Sequence, residues 1–156
     1  MRLTVAAIGR LKPSPELALI EDYAKRVAAS GRPLALGPLE IAEADERKLR
    51  TRESQSEWLS DRIRSGAFTV ALDERGKGMT SPDFAKLIER TRDDGADEML
   101  FMIGGADGHT RALRERADLR LSFGQMVWPH MLARVMLTEQ IYRAVSILSG
   151  SPYHRE

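Results

Sequence analysis

Apolar residues recur along this chain in two rhythms. Leu3 to Ile8, Ala67 to Leu72 and Glu98 to Ile103 are short, dense apolar runs that end in or lead into glycine-bearing segments, which predicts strands. Between them the spacing turns helical. Ser14-Pro15-Glu16 offers a hydroxyl cap, a proline for the first turn and an acid near the positive helix end. It predicts a helix to about Ser30 that stops at Gly31. Ser81-Pro82-Asp83 repeats the device, with Phe84, Leu87 and Ile88 at helical spacing and Gly95 closing the element. Leu34 to Ile41 is extended and interrupted by Gly37-Pro38, so it predicts an edge strand. Glu43 to Arg64 predicts one long charged helix, its apolar stripe thinned to Leu49, Trp58, Leu59 and Ile63. Loops are expected at Asp73 to Thr80, Gly104 to Gly108 and Ser122 to Pro129. A short arginine-rich helix and a brief strand, Leu119 to Leu121, lie between the last two. Strands alternating with helices predict an α/β fold with a mainly parallel sheet, and no repeat or linker divides residues 1–156, so one domain is expected.

The last predicted helix, His130 to Ser149, is apolar around nearly its whole circumference, interrupted by Arg134, Glu139 and Arg143. A helix of that kind is covered on all sides. In a domain of this size the outer side would normally stay wet, so either the helix is unusually central or its outer face meets a second copy of the chain, and a homodimer is the favoured expectation. The longest unbroken apolar run is Met99 to Ile103, far short of the roughly 20 residues of a membrane span. Cysteine is absent, which removes disulfides, thiolate metal sites and cysteine nucleophiles and fits a reducing cytoplasm. A net charge of +1 supplies no global field for nucleic acid. The basic residues are nonetheless mostly arginine, the side chain suited to planar contacts with phosphate or carboxylate. Arg111, Arg114, Arg116 and Arg120 form either a solvated helix face with local ion pairs or a phosphate-facing patch.

The glycine loops match neither the dinucleotide-binding nor the P-loop spacing. Both follow strands, however, and ligands of open α/β sheets bind beyond the carboxyl ends of strands, where glycine permits close backbone approach. With the loop at 122–129 they predict a pocket. No metal is expected, since His109, His130 and His154 are dispersed and no H-E-x-x-H occurs. A serine triad lacks its G-x-S-x-G elbow. Asp73 and Glu74, being adjacent, point opposite ways in an extended chain. The end of the chain, Ser151-Pro152-Tyr153-His154-Arg155-Glu156, is either an exposed tail or a cluster fit for base stacking and phosphate contact.

Taken in order, Leu72-Asp73-Glu74-Arg75-Gly76-Lys77, Ile103-Gly104-Gly105-Ala106-Asp107-Gly108, Pro129-His130 with Arg134-Val135, Glu139-Gln140, Tyr142-Arg143-Ala144 and Tyr153-His154-Arg155 resemble the RlmH family of ribosomal large-subunit methyltransferases. The resemblance implies the SPOUT fold, an α/β sheet whose C-terminal segment forms a trefoil knot. It implies a homodimer that uses S-adenosylmethionine to methylate N3 of a pseudouridine in 23S rRNA on the assembled ribosome, in the cytoplasm. By position it implies cofactor contacts at Leu72, Gly104, Phe123, Gly124, Gln125, Met126, Val127 and Trp128. Tyr153, His154 and Arg155 would face the RNA beside the partner subunit's cofactor, with His154 or water as base and Arg134 or Arg155 as the cation. The alternatives are a SPOUT enzyme acting on tRNA and a ribosome-associated protein without catalysis. The low net charge implies recognition of the ribosome by shape and weak binding to naked RNA fragments.

Overall fold

The computed structural model describes residues 1–155; Glu156, the last residue of the tail, lies outside the described residues. The strands are β1 (Arg2–Ile8), β2 (Leu39–Ala44), β3 (Ala67–Lys77), β4 (Glu98–Ile103) and β5 (Leu119–Leu121). They form one sheet in the order β2-β1-β4-β3-β5, and every neighbouring pair is parallel. The helices are α1 (Pro15–Gly31), α2 (Arg52–Ser60), α3 (Ser81–Asp93), α4 (Arg111–Arg116) and α5 (His130–Leu148).

Alternation along the central strands sends side chains to two cores. Leu3, Val5 and Ala7 of β1 and Met99, Phe101 and Ile103 of β4 pack with α1, α3 and α5. Ala6 and Ile8, with Leu100 and Met102, pack against Leu59 of α2 and Leu113 of α4. Both faces of the sheet are covered, which is why β4, its middle strand, is apolar on both sides. The first capped start forms as expected, the Ser14 hydroxyl accepting the Leu17 amide; at the second the cap is Thr80, whose hydroxyl accepts the Asp83 amide, and the expected cap Ser81 is already the first helical residue. β2 lies at an edge, as Gly37-Pro38 predicts.

Three segments differ from the sequence expectation: the strand expected from Leu34 starts only at Leu39, after a 3₁₀ turn at Arg32–Leu34, and two others differ more. The charged stretch from Glu43 is not one helix. Glu43 and Ala44 still pair with β1, then Asp45 Oδ1 accepts the Arg47 amide at 3.1 Å and turns the chain. The helix begins only at Arg52, where Thr51 and Ser54 exchange capping bonds. The expected loop at Asp73 to Thr80 is also shorter, because β3 continues to Lys77. Leu72 and Lys77 both align with Leu121 across a register shift, so Leu72 lies at a bulge inside the strand and not at its end. Gly76 is needed there: a Cβ would stand 2.6 Å from the Arg120 carbonyl oxygen. α5 packs on α1 and α3, but Met131 and Leu132 at its start remain exposed, and Leu19 of α1 and Met126 to Trp128 add to the same class.

Candidate active site

The bulged part of β3 from Leu72 to Arg75 and the loops that leave β4 and β5 close around one cleft of about 240 Å³ at the carboxyl end of the sheet. Leu72, Gly104, Phe123, Gly124, Met126, Val127 and Trp128 line it, whereas Gln125 does not. The middle loop is tight. A Cβ on Gly104 would lie 3.1 Å from the carbonyl carbon of Gly108 and 3.2 Å from its oxygen, so a side chain here would push on the loop and cover backbone that glycine leaves open to a ligand. The third loop is set by Ser122. Its hydroxyl accepts the Gly124 amide at 3.1 Å and stands within bonding distance of the Glu74 and Gly124 carbonyls.

Under the cleft lies a group of polar side chains that the sequence reading did not assemble. Asp73 of β3, His109 after the glycine loop and Arg114 of α4 all line it. Asp73 Oδ1 accepts the Arg75 amide at 3.0 Å, and Arg114 Nη1 comes within 3.9 Å of Oδ2. The His109 residue is 6% exposed. Burial pushes its imidazole below the ordinary value of 6.5, with Arg114 acting the same way, while Asp73 and the carbonyls of Met102 and Leu72 oppose. Those carbonyls stand beside the ring, yet neither ring nitrogen completes a hydrogen bond, and Asp73 Oδ2 is likewise buried without one. A buried polar group left unpaired costs about 1–3 kcal/mol. The available signal for His109 was its place directly after Gly104 to Gly108.

The tail residues and Arg134 sit elsewhere. None of Arg134, Tyr153, His154 and Arg155 lines the cleft. Arg134 is almost wholly buried: Nη1 faces Glu43 Oε2 at 3.2 Å, and Nη2 donates to the carbonyls of Ile8 and Gly9. Glu43 Oε2 also accepts the Leu11 amide at 2.6 Å, so this arginine clamps α5 to the ends of β1 and β2. The tail folds back on the other end of α5. Tyr153 donates to Glu139 Oε1 at 3.0 Å and meets the Tyr142 ring edge-on at 4.7 Å. Burial, then Tyr23 and Glu139, push the Tyr153 hydroxyl far above its usual range, so it stays protonated. Arg143 binds Glu139 Oε1 through Nε and Nη2 at 3.0 and 2.6 Å, and its Nη1 lies 3.2 Å from His154 Nδ1. A guanidinium only donates, so Nδ1 accepts and a neutral ring carries its proton on Nε2, which is buried without a partner. Arg155 is exposed. Beside this latch a larger apolar cavity of about 630 Å³, lined by Leu19, Tyr23, Met79, Phe84, Val135 and Met136, shares Phe123 and Gly124 with the cleft.

Among the described residues no group of three or more His, Cys, Asp or Glu is placed to hold a metal ion, and no helix is long and apolar enough to cross a membrane.

Comparison with known proteins bears on this geometry. The family described as "Predicted SPOUT methyltransferase" matches residues 1–154. Ribosomal RNA large subunit methyltransferase H of Dinoroseobacter shibae is 51% identical over 155 residues, 99% of each chain. The protein of that name from Maricaulis maris is 51% identical over 156 residues, all of both chains, and one from Cereibacter sphaeroides is 52% identical over 155. A SpoU methyltransferase structure from Streptomyces viridochromogenes aligns over 95% of this chain and 58% of that one, with a TM-score of 0.44 at 17% identity, too distant to argue from. The matches spanning the full chain settle the family: the chain belongs to the SPOUT methyltransferases, with the ribosomal RNA large subunit methyltransferase H proteins.

Proposed function

We propose that this chain is an S-adenosylmethionine-dependent methyltransferase that methylates N3 of a pseudouridine in 23S rRNA, acting as a homodimer on the assembled ribosome in the cytoplasm. The observation that carries the reading is the cleft at the ends of β3, β4 and β5, in a chain half identical over its full length to rRNA methyltransferases. The lining suits the cofactor. Leu72, Phe123 and Trp128 offer apolar walls for a flat base, Gly104 gives backbone access that a side chain would cover, and buried Asp73 offers an acceptor side.

S-adenosylmethionine bound there supplies a methyl group on a sulfonium, so the donor is already activated. The protein's share is alignment and management of the N3 proton. Alignment falls to the glycine loop and to residues 122–128. The tail holds the base: Tyr153 is pinned through Glu139, and His154 through Arg143. With Nδ1 engaged by Arg143, His154 is left with Nε2–H, buried in the single subunit, and acts as a donor toward the developing charge on the uracil once docking on the second copy opens that side, while water takes the proton. Arg155, exposed at the end of the tail, serves as the cation in place of buried Arg134.

The geometry of α5 supports the homodimer reading. Ala133 borders the cleft and Arg143 holds the tail, about 15 Å apart along the helix axis. A tail latched to its own helix therefore serves the cleft of a second copy, and Met126 to Trp128, Met131 and Leu132 supply an exposed apolar surface for that contact. The experiment is transfer of labelled methyl from S-adenosylmethionine to ribosomes lacking the modification, with mass mapping of the product. Methyl on N3 of a 23S pseudouridine is the expected result. No transfer to ribosomes by protein that binds S-adenosylhomocysteine would overturn the rRNA assignment and move the search to tRNA.

A further inference from the structure

His109 is the one histidine wholly enclosed by the fold, and nothing in the reaction above uses it. Its ring lies under the glycine loop, with Cε1 3.3 Å from where a Gly104 Cβ would stand. It faces the carbonyls of Leu72 on β3 and Met102 on β4, Asp73 on β3 and Arg114 on α4. Neither ring nitrogen has a partner, and neither is reached by solvent. Its backbone is fixed on both sides of this pocket floor. The next residue, Thr110, donates its amide to Ser56 of α2 at 2.9 Å and caps α4 through its hydroxyl. A buried ring held this firmly, with the Leu72 and Met102 carbonyls near enough to favour a proton on it but a completed hydrogen bond to neither, carries polar capacity that core packing does not use.

We propose that His109 is a positioning residue for the cofactor: it spans the floor between Leu72 and Gly104, and one ring N–H closes onto the Leu72 or Met102 carbonyl when the cofactor seats. The inference rests on the cofactor reading of the cleft. In the free protein the ring is a spacer with unused hydrogen-bonding capacity. Once the loop amides engage a ligand, the bond forms and holds the glycine loop against β3 at the spacing the ligand needs. Neutral imidazole suits the role, because a charge here would sit between Asp73 and Arg114 with no solvent to screen it.

The test separates positioning from packing. His109→Leu fills similar volume without polar atoms, whereas His109→Gln keeps a donor and an acceptor. The expected result is that His109→Leu weakens S-adenosylhomocysteine binding about tenfold, measured by calorimetry, and raises KM for S-adenosylmethionine while kcat changes little. Its unfolding temperature without ligand stays level or rises, since unpaired polar atoms have been removed. His109→Gln restores most of the affinity. Unchanged affinity in the leucine variant overturns the proposal, as does a loss matched by an equal loss of ligand-free stability. Should that variant not fold, ¹⁵N resonances of the wild-type His109 ring decide. One nitrogen shifting to a hydrogen-bonded position on S-adenosylhomocysteine binding supports the role, and an unmoved ring excludes it. Wild-type protein that binds no S-adenosylhomocysteine removes the cofactor reading itself, which distinguishes that failure from this one.

Discussion

Near its start α5 carries Arg134, whose guanidinium is enclosed by Glu43 and the carbonyls of Ile8 and Gly9; toward its end it carries Arg143, partly buried and joined to Glu139, Tyr153 and His154. Burial pushes the first guanidinium below its ordinary value, and the carboxylate of Glu139 pushes the second above it. The same residue type on the same helix is thus used in two ways. At the start the charge is spent on closing the fold, tying α5 to the ends of β1 and β2. At the end a pair with the favourable i, i+4 order holds a mobile kind of structure, a chain terminus, in one place. The difference teaches that a guanidinium in a signature segment is not evidence for catalysis until its partners are known.

Cutting the chain after Ser151 gives the largest effect and tests the second half of the comparison. Methyl transfer to ribosomes should fall at least about a hundredfold, since alignment of the base is lost. S-adenosylhomocysteine affinity should stay within about twofold, because no tail residue lines the cleft. Full activity in the truncated protein would show that the latch has no part in the reaction. Arg134→Met tests the other half. Removing one partner of a buried pair leaves Glu43 uncompensated and should cost about 3 kcal/mol in urea unfolding. Folded molecules of this variant should bind S-adenosylhomocysteine as the wild type does. A stable variant with methyl transfer lost would return Arg134 to the reaction.

Acid stability gives a smaller effect. His109 is held neutral by burial, so its folded value lies below the ordinary 6.5. Above pH 6.5 neither state carries the proton and the group contributes nothing. As pH falls below 6.5, the unfolded chain binds a proton that the folded one refuses, and stability declines until the folded value is reached. The stability difference between wild type and His109→Leu should therefore shift in acid, by at most about 2 kcal/mol between pH 7 and pH 5. Parallel curves would mean that the ring titrates as in the unfolded chain.

The sequence announced strands and helix starts well where the signal was local: Ser14 beside its proline, the start near Ser81-Pro82 to within one residue of its cap, and the doubly apolar β4. It misled where a neighbour decided. Glu43 reads as helix by composition but belongs to β2 because β1 pairs with it, and Asp73 to Lys77 reads as a loop but is held in β3 by β5. The loops of the cleft were legible because glycine after a strand has a direct conformational meaning. The polar group beneath it was not, since Asp73, His109 and Arg114 come from β3, a loop and α4, and only the packing of the sheet brings them together. The burial of Arg134 was not legible for a related reason: its partner, Glu43, lies far away in sequence on an edge strand.

The smallest effect bears on what the latch does to His154. Arg143 Nη1 at 3.2 Å claims the Nδ1 lone pair, which leaves Nε2–H as the group the ring can offer. A glutamine reproduces both features, its amide oxygen accepting from Arg143 and its amide nitrogen donating in place of Nε2. If His154 works as a donor, His154→Gln should keep kcat within about tenfold of wild type, because a general base is not being removed. If the ring takes the N3 proton, the same change should cost about a hundredfold or more. The pH profile gives the sign independently. A base role predicts a rate that falls in acid as the ring is protonated, and the loss of that limb in the glutamine variant. A donor held by Arg143 predicts that wild type and His154→Gln share one profile, since both present an N–H and neither takes up the N3 proton.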